Sequence, residues 1–266
     1  MIQGRRPAVI AAALLPATPG AAAIVAPPPA APFDYQLGGA YPPGPGVRVV
    51  FRDRAEAPAP RRYGVCYLNA FQTQPHERAW WMRRHPRLIL RAAGRPVGDP
   101  GWPGELLLDV STPDRRRELA GVWRAWMRGC ARRGYRAVDP DNLDSWTRSR
   151  GLLTPADAVA AARLLVREAR RAGLAAGQKN AAEIARPLRA MGFDFAVAEE
   201  CEAHRECGAY TRVYGRRVFE VEYPSGAGDT AFTRACAARG GRIAVLLRDR
   251  GLVPPRAVGH VERRCG

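Results

Sequence analysis

The stretch Ala137-Val138-Asp139-Pro140-Asp141-Asn142-Leu143-Asp144 reads as a short buried strand that ends in three carboxylates and an amide. Charged groups are costly to bury for packing alone, because each must be paired or hydrogen-bonded. Apolar strands run into acids twice more downstream, at Phe195-Ala196-Val197-Ala198-Glu199-Glu200 and at Val218-Phe219-Glu220-Val221-Glu222. Three such clusters favour an acid/base site over three solvated loops.

Apolar runs of β type alternate with helix-like segments along the chain. This alternation predicts an α/β protein, a parallel (β/α)8 TIM barrel. The first β/α unit is irregular, because the proline-rich segment 52–63 leaves no room for a normal helix. An open, doubly wound sheet is the alternative, but no predicted strand leads into a glycine-rich phosphate loop. The predicted strands are Val47–Phe51, Gly64–Leu68, Leu106–Val110, Ala137–Asp139, Leu174–Gln178, Phe195–Ala198, Val218–Val221 and Ile243–Leu247.

Four connecting helices carry sequence signals. The first two are predicted for residues 112–134 and 154–173, each between a Thr-Pro start and a glycine stop. Two more are predicted for 181–191 and 231–238 from their helical composition.

The N-terminus looks like a secretory signal. Arg5 and Arg6 precede a small-residue apolar run over residues 8–25, which is the pattern of an exported protein. We therefore predict a signal peptide over residues 1–26, a disordered Pro/Ala-rich lead-in over 27–34 and the barrel over 35–266, hence a secreted protein. Prolines interrupt the apolar run, so no stable membrane insertion is expected.

Six cysteines lie after the predicted signal peptide, and an even number in an exported chain indicates disulfides. Cys201 and Cys207 are close enough in sequence to close one short loop. The pairing of Cys66, Cys130, Cys236 and Cys265 stays open, except that a Cys236–Cys265 bond would tether the C-terminal tail. A zinc site is the competing interpretation, but no C-x-x-C pair supports it; we expect neither a metal nor a cofactor.

The formal net charge is +17, and nearly all basic side chains are arginine. The arginines are scattered and form no aromatic-interleaved stripe, which argues against nucleic acid as a partner. A basic adhesion module for the cell envelope would need a contiguous arginine patch. Lys179 is the single lysine in the chain and ends an apolar strand, which indicates a crowded polar site that requires a compact ammonium group.

Polar side chains fall at the C-terminal ends of six predicted strands, where barrel enzymes place their sites. Four aromatic residues flank the same ends, and aromatic faces suit the C–H faces of sugar rings. The four histidines lie elsewhere and no G-x-S-x-G motif occurs, so a Ser-His-Asp triad is not expected. The polar residues are Asn69, Asp109, Asp141, Lys179, Glu199 and Glu222, and the aromatic ones are Tyr67, Trp102, Trp146 and Tyr223.

The order of several motifs resembles the glycoside hydrolase family 114 barrels, the endo-α-1,4-polygalactosaminidase-like group. The resemblance runs from about residue 35 to about residue 252. The motifs are Tyr35-Gln36-Leu37, Cys66-Tyr67, Trp102-Pro103-Gly104-Glu105, Leu108-Asp109, Asp139-Pro140-Asp141-Asn142-Leu143-Asp144, Gly173-Leu174, Gln178-Lys179-Asn180, Phe193-Asp194-Phe195-Ala196-Val197, Glu199-Glu200-Cys201, Glu206-Cys207 and Glu222-Tyr223.

This resemblance implies a (β/α)8 hydrolase that cuts α-1,4-linked galactosamine polymers within the chain. The family's acidic pair falls on Asp141, as nucleophile or base, and Glu199, as acid. Asp139 stands where the family commonly has glutamate. The expected substrate-binding residues are Tyr67, Asp109, Asp139, Asn142, Asp144, Lys179, Asn180, Glu200 and Glu222.

Two matters stay open at this point. A catalytically inactive glycan-binding protein on the same barrel is the alternative function. A chain with charge +17 would repel cationic polygalactosamine at long range, so an acetylated or anionic glycan suits the global charge better, unless the cleft itself is acidic. We expect a monomer that binds a polysaccharide substrate.

Overall fold

The computed structural model describes residues 23–224 and 229–265. Eight parallel strands in this part curl into one sheet, which a ninth, antiparallel strand extends. The predicted (β/α)8 barrel is thereby confirmed. Its parallel strands are β1 Phe33–Gln36, β2 Val49–Asp53, β3 Tyr63–Leu68, β6 Ala137–Pro140, β7 Ala175–Lys179, β8 Phe195–Glu199, β9 Val218–Glu222 and β10 Ala244–Arg248; β11, Glu262–Arg264, is antiparallel, and the pair β4 Arg91–Ala92 and β5 Arg95–Pro96 stands apart.

Helices connect the later strands on the outside of the sheet. Thr112 caps the helix Pro113–Arg132, where its hydroxyl accepts a hydrogen bond from the Arg115 amide. Thr154 and Asp157 form a reciprocal capping box at the start of the helix Pro155–Arg171, which satisfies amides that the first helical turn leaves without partners. The helices are α1 Arg78–Arg84, α2 Pro113–Arg132, α3 Pro155–Arg171, α4 Ala185–Met191, α5 Cys207–Tyr214 and α6 Thr230–Arg239.

The prediction of a barrel strand at Leu106–Val110 is wrong. These residues form only isolated antiparallel bridges, to Gln72, Ile89 and Gly98. They are apolar because they pack inside the long connecting segment between β3 and α2. Strand β3 instead pairs directly with β6, and the eighth parallel strand is β1, which pairs with β2. Neither the β1–β2 nor the β2–β3 connection contains a helix, so the irregular start extends over two units.

The prediction of a disordered lead-in over residues 27–34 is also wrong. Strand β1 begins at Phe33, and Ala31 is fully buried. The Tyr63 hydroxyl donates to the carbonyl of Val25 at 2.6 Å, and the Ala30 amide donates to the carbonyl of Arg216 at 2.9 Å. Residues 1–22 of the predicted signal peptide lie outside the described residues.

The barrel interior is filled by aromatic rings below the carboxyl ends of the strands. Phe33, Phe51, Phe195 and Phe219 contact one another edge to face, with centroids 5.2–6.5 Å apart. Gly177 makes room for this cluster, because a Cβ there would lie 2.6 Å from the Phe195 ring. A dry, close-packed floor leaves polar chemistry only at the open end of the strands.

The seam between the first and last parallel strands is closed by a side chain. Among the described strands, β1 pairs only with β2. Arg248 of β10 is completely buried and donates from Nη1 to the carbonyl of Tyr35 at 2.5 Å, and the same nitrogen lies 3.5 Å from a carboxylate oxygen of Asp34. A buried guanidinium thus provides a hydrogen bond to a β1 carbonyl that a neighbouring strand would otherwise provide.

Three disulfides tie the barrel to its connections. Cys66–Cys130 joins β3 to α2, Cys201–Cys207 closes the short loop after β8, and Cys236–Cys265 fastens the C-terminal segment to α6. The expected Cys201–Cys207 bond is confirmed. In the described residues no helix combines the length and apolarity needed to span a bilayer.

Removing each disulfide tests how these loops contribute to stability. The Cys66–Cys130 loop spans 64 residues and the Cys201–Cys207 loop spans 6. Chain entropy predicts that the double alanine variant of the first pair lowers the free energy of unfolding by about 4 kcal/mol, and that of the second by about 2–3 kcal/mol. Denaturant unfolding measures both values; the reverse order would contradict the prediction.

Candidate active site

A cavity of about 580 Å3 opens at the C-terminal ends of the strands. We call it the central cavity. Strands β6, β7 and β8 deliver one charged side chain each: Asp141 follows β6, Lys179 ends β7 and Glu199 ends β8. Its polar lining consists of Tyr67, Gln74, Asp99, Glu105, Asp141, Asn142, Asp144, Arg148, Lys179, Asn180, Glu199, Tyr223 and Arg250.

Lys179 lies between the two predicted catalytic carboxylates. Its Nζ is 3.2 Å from Oδ1 of Asp141 and 3.2 Å from Oε2 of Glu199, and it donates to the hydroxyl of Tyr35 at 2.9 Å. Burial alone would lower the pKa of Lys179, but the surrounding Asp141, Glu199 and Asp139 carboxylates raise it well above its usual value. The ammonium is therefore a permanent charge within the site.

Asp141 is held in its ionised form. Its Oδ2 accepts from the Tyr67 hydroxyl at 2.7 Å, and its Oδ1 accepts from the Asn142 amide at 2.8 Å. Burial alone would raise the pKa of Asp141, but Lys179 and these hydrogen bonds outweigh it and hold the pKa below the usual value. An ionised carboxylate with fixed orientation can act as a nucleophile or a base.

Glu199 is held from two other directions. The Tyr223 hydroxyl donates to its Oε1 at 2.6 Å, and the amide of Asn180 donates to its Oε2 at 3.3 Å. The side chain of Asn180 also accepts from the Glu199 backbone amide at 2.9 Å, so it fixes both the main chain and the carboxyl. Asn180 has a left-handed backbone, φ 45°, which asparagine tolerates better than most residues.

The spacing of the two carboxylates follows from the shared lysine. Each oxygen lies 3.2 Å from the same nitrogen, so these two oxygens cannot be more than twice 3.2 Å, or 6.4 Å, apart. Carboxyl pairs of retaining glycosidases are separated by about 5–5.5 Å and those of inverting enzymes by about 6.5–9.5 Å. The limit holds for the two lysine-facing oxygens, and a carboxyl separation in the retaining range satisfies it.

Asp139 lies beneath the cavity and does not line it. It is fully buried, and the Tyr35 hydroxyl donates to its Oδ2 at 3.3 Å while Oδ1 has no partner among the described residues. Burial raises the pKa of Asp139 to about 7, although Lys179 opposes the shift. Its short side chain therefore contacts Tyr35 and does not line the cavity.

One wall of the central cavity is a chain of amides and charges. The Asn142 side chain donates to Oδ1 of Asn69 at 2.8 Å, and Asn69 donates to Oε2 of Glu105 at 2.9 Å. Arg148 donates to Oδ1 of Asn142 at 2.9 Å and to Asp144 at 2.9 Å. It also pairs with the buried Asp99 at 2.7 Å. Burial raises the pKa of Glu105 to about 7, even though its hydrogen bond from Asn69 lowers it.

Two further predicted binding residues lie away from the central cavity. Asp109 lies within the segment predicted as a strand, Leu106–Val110, and accepts from the Ser111 amide at 2.9 Å and from Arg115 at 2.9 Å, so it organises the turn before α2. Glu200 pairs with Arg250 at 2.7 Å and lines a side groove of about 360 Å3 that adjoins the cavity. Asp109 therefore lines neither the central cavity nor the side groove.

Glu222, also a predicted binding residue, does not line the central cavity either. It points outward from β9, where its Oε1 accepts from the Glu202 amide at 2.9 Å. Together with Glu220 and the Cys201–Cys207 sulfurs it forms a compact cluster, but disulfide sulfurs are not the thiolates that bind metals. Burial raises the pKa of Glu222 to about 7. Glu222 therefore supports the loop after Glu199 from behind.

The remaining predicted binding residues do meet at the central cavity: Tyr67, Asn142, Asp144, Lys179 and Asn180. Tyr223 and Trp102 line it as well, whereas Trp146 packs against the hydrophobic core.

Glu105, Asp99, Arg148 and Arg250 line the cavity although the sequence does not predict them as site residues. Glu105 stands inside the Trp102-Pro103-Gly104-Glu105 motif, which is the available signal. Asp99 lies in a loop, Arg148 ends a short 3-10 helix and Arg250 follows β10 by two residues.

The central cavity is acidic although the protein is strongly basic. Its lining holds five carboxyl groups, on Asp99, Glu105, Asp141, Asp144 and Glu199, against three cations, on Arg148, Lys179 and Arg250. The side groove adds Glu183, Glu200 and Glu206. Local potential inside a cleft depends on nearby charges more than on distant ones that salt screens. A cationic sugar can therefore be accommodated.

Comparisons with known proteins identify one matching family and several similar folds. The model of glycoside-hydrolase family GH114 matches residues 15–266. The crystal structure of Aspergillus fumigatus Ega3 in complex with galactosamine is similar, with a TM-score of 0.68 and 20% identity over 92% of this chain and 100% of that one. The glycoside hydrolase domain of PelA from Pseudomonas aeruginosa has a TM-score of 0.58 and 17% identity over 86% of this chain and 96% of that one. No curated protein matches the chain.

Replacing Lys179 by methionine tests the charge balance of the site. In the unmodified protein the pKa of Asp141 is lowered, so Asp141 stabilises the fold at pH values above its unfolded-state pKa. This contribution is lost as the pH falls through the lowered pKa. In the Lys179→Met variant, burial raises the pKa of Asp141. The contribution of Asp141 to stability is then greatest at low pH and falls as the pH rises through the raised pKa. Leaving buried carboxylates unpaired costs about 3–5 kcal/mol at pH 7.

Denaturant unfolding at pH 4 and pH 7 measures this effect. Arg117→Met is the matched control, since Arg117 and its partner Asp114 are both largely exposed and such pairs contribute at most about 1 kcal/mol. A Lys179→Met variant whose stability loss is equal at both pH values would contradict the prediction.

Proposed function

Because this chain belongs to glycoside hydrolase family GH114, we propose that it is a secreted hydrolase that cleaves α-1,4-linked galactosamine polymers at internal positions. The observation that carries the proposal is the placement of Asp141 and Glu199 on either side of Lys179, with 3.2 Å to each. Two carboxyls held at such spacing in an open cavity are the equipment for glycoside hydrolysis.

In the proposed mechanism, Asp141 is the nucleophile. Its carboxylate attacks the anomeric carbon while the bond to the leaving oxygen breaks, and Glu199 gives its proton to that oxygen. The product is a glycosyl ester on Asp141. Glu199, now ionised, removes a proton from water, and the resulting attack on the anomeric carbon releases the sugar and restores both carboxyls.

Lys179 and the tyrosines support this cycle without exchanging protons with the substrate. The ammonium stabilises Asp141 as a carboxylate before attack, and the Tyr67 hydroxyl, which donates to Oδ2 at 2.7 Å, fixes the orientation of the carboxylate. Tyr223, at 2.6 Å from Glu199, orients the acid. Preorganised donors of this kind act on the reaction because they need not reorient as charge develops.

The acidic cavity supports an amino sugar as the substrate. Galactosamine residues carry an ammonium group at neutral pH, and five carboxyls line the central cavity against three cations. The similar Ega3 structure is a complex with galactosamine. Trp102, which is 53% exposed at the cavity rim, offers an apolar face on which a sugar ring can stack.

Secretion is part of the proposal. The signal-like start of the chain and three disulfides both fit an oxidising compartment. We propose that the enzyme acts as a monomer on an extracellular polysaccharide.

Neutralising the carboxyl pair tests the assignment. Asp141→Asn and Glu199→Gln should each lower kcat on an α-1,4-galactosamine polymer by about a thousandfold or more, because each removes a group that makes or breaks a bond in the transition state. Reducing-end release measures kcat. Asp109→Asn, which removes a carboxyl outside the cavity, should retain activity. Full activity in either cavity variant would reject the assignment, and binding without turnover by the unmodified protein would favour the inactive glycan-binding alternative.

The carboxyl spacing predicts the stereochemical outcome. A retaining enzyme acting on α-linkages releases the α-anomer first, because two displacements restore the original configuration. Proton NMR during the first minutes of hydrolysis distinguishes the anomers before mutarotation mixes them. Initial appearance of the β-anomer would show inversion and would exclude the covalent role of Asp141.

A further inference from the structure

Among the described residues, Glu105 is the one carboxyl lining the central cavity that forms no ion pair. Asp141 and Glu199 share Lys179, while Asp99 and Asp144 share Arg148. Glu105 has instead a single polar side-chain contact, from the amide of Asn69 to its Oε2 at 2.9 Å. Its other oxygen, Oε1, accepts no hydrogen bond from the described part of the chain.

The position of Glu105 is fixed by neutral groups. Its backbone amide donates to the Trp102 carbonyl at 3.1 Å, and its carbonyl accepts from the Asp99 amide at 3.1 Å. Asn69, which contacts the carboxyl, is itself held by the Asn142 side chain at 2.8 Å. The carboxyl is thus placed on the wall next to Asp141 by a rigid chain of amides that supplies no positive charge.

We propose that Glu105 recognises the ammonium group of a galactosamine residue bound in the central cavity, and so makes the enzyme prefer deacetylated over acetylated sugar units. This inference rests on the proposed function. It assigns to Glu105 a role in specificity and leaves bond cleavage to Asp141 and Glu199.

The chemistry favours an ammonium over a hydroxyl at this position. A partly buried carboxylate without a counter-charge is destabilised by desolvation, and a ligand cation supplies the missing charge. The raised pKa of Glu105, about 7, agrees with an acid that lacks such a partner when the site is empty. An N-acetyl group is neutral and bulkier. It displaces water from the carboxylate and supplies no positive charge in return.

No other wall of the cavity offers the same feature within the described part of the chain. The groups that face Glu105 electrostatically are Asp141, Asp99 and Arg148. Arg148 is already engaged by Asn142, Asp144 and Asp99, so it is not free to neutralise Glu105. A ligand ammonium at Oε1 would complete the charge pairing of the wall.

Direct binding separates this inference from catalysis. Calorimetry measures the affinities of three non-hydrolysing proteins for galactosamine and N-acetylgalactosamine oligomers. The first is the single variant Glu199→Gln, and the other two combine it with Glu105→Gln or with Glu118→Gln. Glu118 is an exposed residue on α2, so its variant controls for loss of one negative charge. The Glu105→Gln change should weaken binding of the amino oligomer about ten- to hundredfold and leave the acetylated oligomer unaffected.

The pH dependence gives an independent readout. Only the ionised carboxylate attracts an ammonium group, so affinity for the amino oligomer should fall about tenfold or more from pH 7 to pH 5 in Glu199→Gln. That fall should be much smaller once Glu105→Gln is added. Asp139, whose pKa is also raised to about 7, titrates in both proteins and therefore cancels in the comparison.

The outcomes are distinct. Equal weakening of both oligomers by Glu105→Gln would indicate a merely structural role through Asn69 and would overturn the inference. An unchanged preference for the amino oligomer would overturn it as well, while hydrolysis of the amino polymer by the unmodified enzyme would leave the proposed function intact. Failure of Glu199→Gln to bind either oligomer would overturn both.

Discussion

The site depends on one buried ammonium group among several acids. Three neighbouring strands place Asp141, Lys179 and Glu199 at one edge, and the contacts of 3.2 Å on both sides of the lysine bring the two carboxylates close together. Without a central cation, carboxylates this near would repel one another and take up protons. The lysine therefore lets two acids with different tasks share a small volume. The neutral floor of aromatic rings below strengthens the effect, because it keeps water away.

Much of this arrangement could be predicted from the sequence. An apolar run followed by acids marks the end of a parallel strand, and in a barrel such ends converge even when they are far apart along the chain. That rule brings Asp141 and Glu199 to the open end of the barrel, and the family resemblance then selects them as the acidic pair. The single lysine in an arginine-rich chain adds Lys179, because an arginine fork does not fit between two carboxylates at this spacing. The helix limits follow from capping residues, whose chemistry is local.

The failures have physical causes. Leu106–Val110 is as apolar as a barrel strand. A buried connecting segment needs the same apolar residues as a buried strand, so composition does not distinguish a connection from a strand. The same ambiguity explains why Asp109, which the pattern puts at a strand end, lies away from the central cavity. Glu222 ends a true strand, yet residues alternate across a sheet, and this carboxyl falls on the outer side. Glu105 escapes prediction for the opposite reason, since an acid in an irregular loop carries no periodic signal and only tertiary contacts bring it to the cavity.

The composition of the chain has a practical corollary. Lys179 is the sole lysine in the sequence and is 2% exposed. Its side-chain nitrogen is therefore a unique position for isotopic labelling at the candidate site, because lysine enriched in nitrogen-15 gives a single side-chain ammonium resonance. Acylating reagents that ordinarily scatter over protein surfaces find no accessible ε-amine among the described residues. The enzyme can thus be immobilised or coupled through other groups while its central charge reports, by magnetic resonance, on what occupies the cavity.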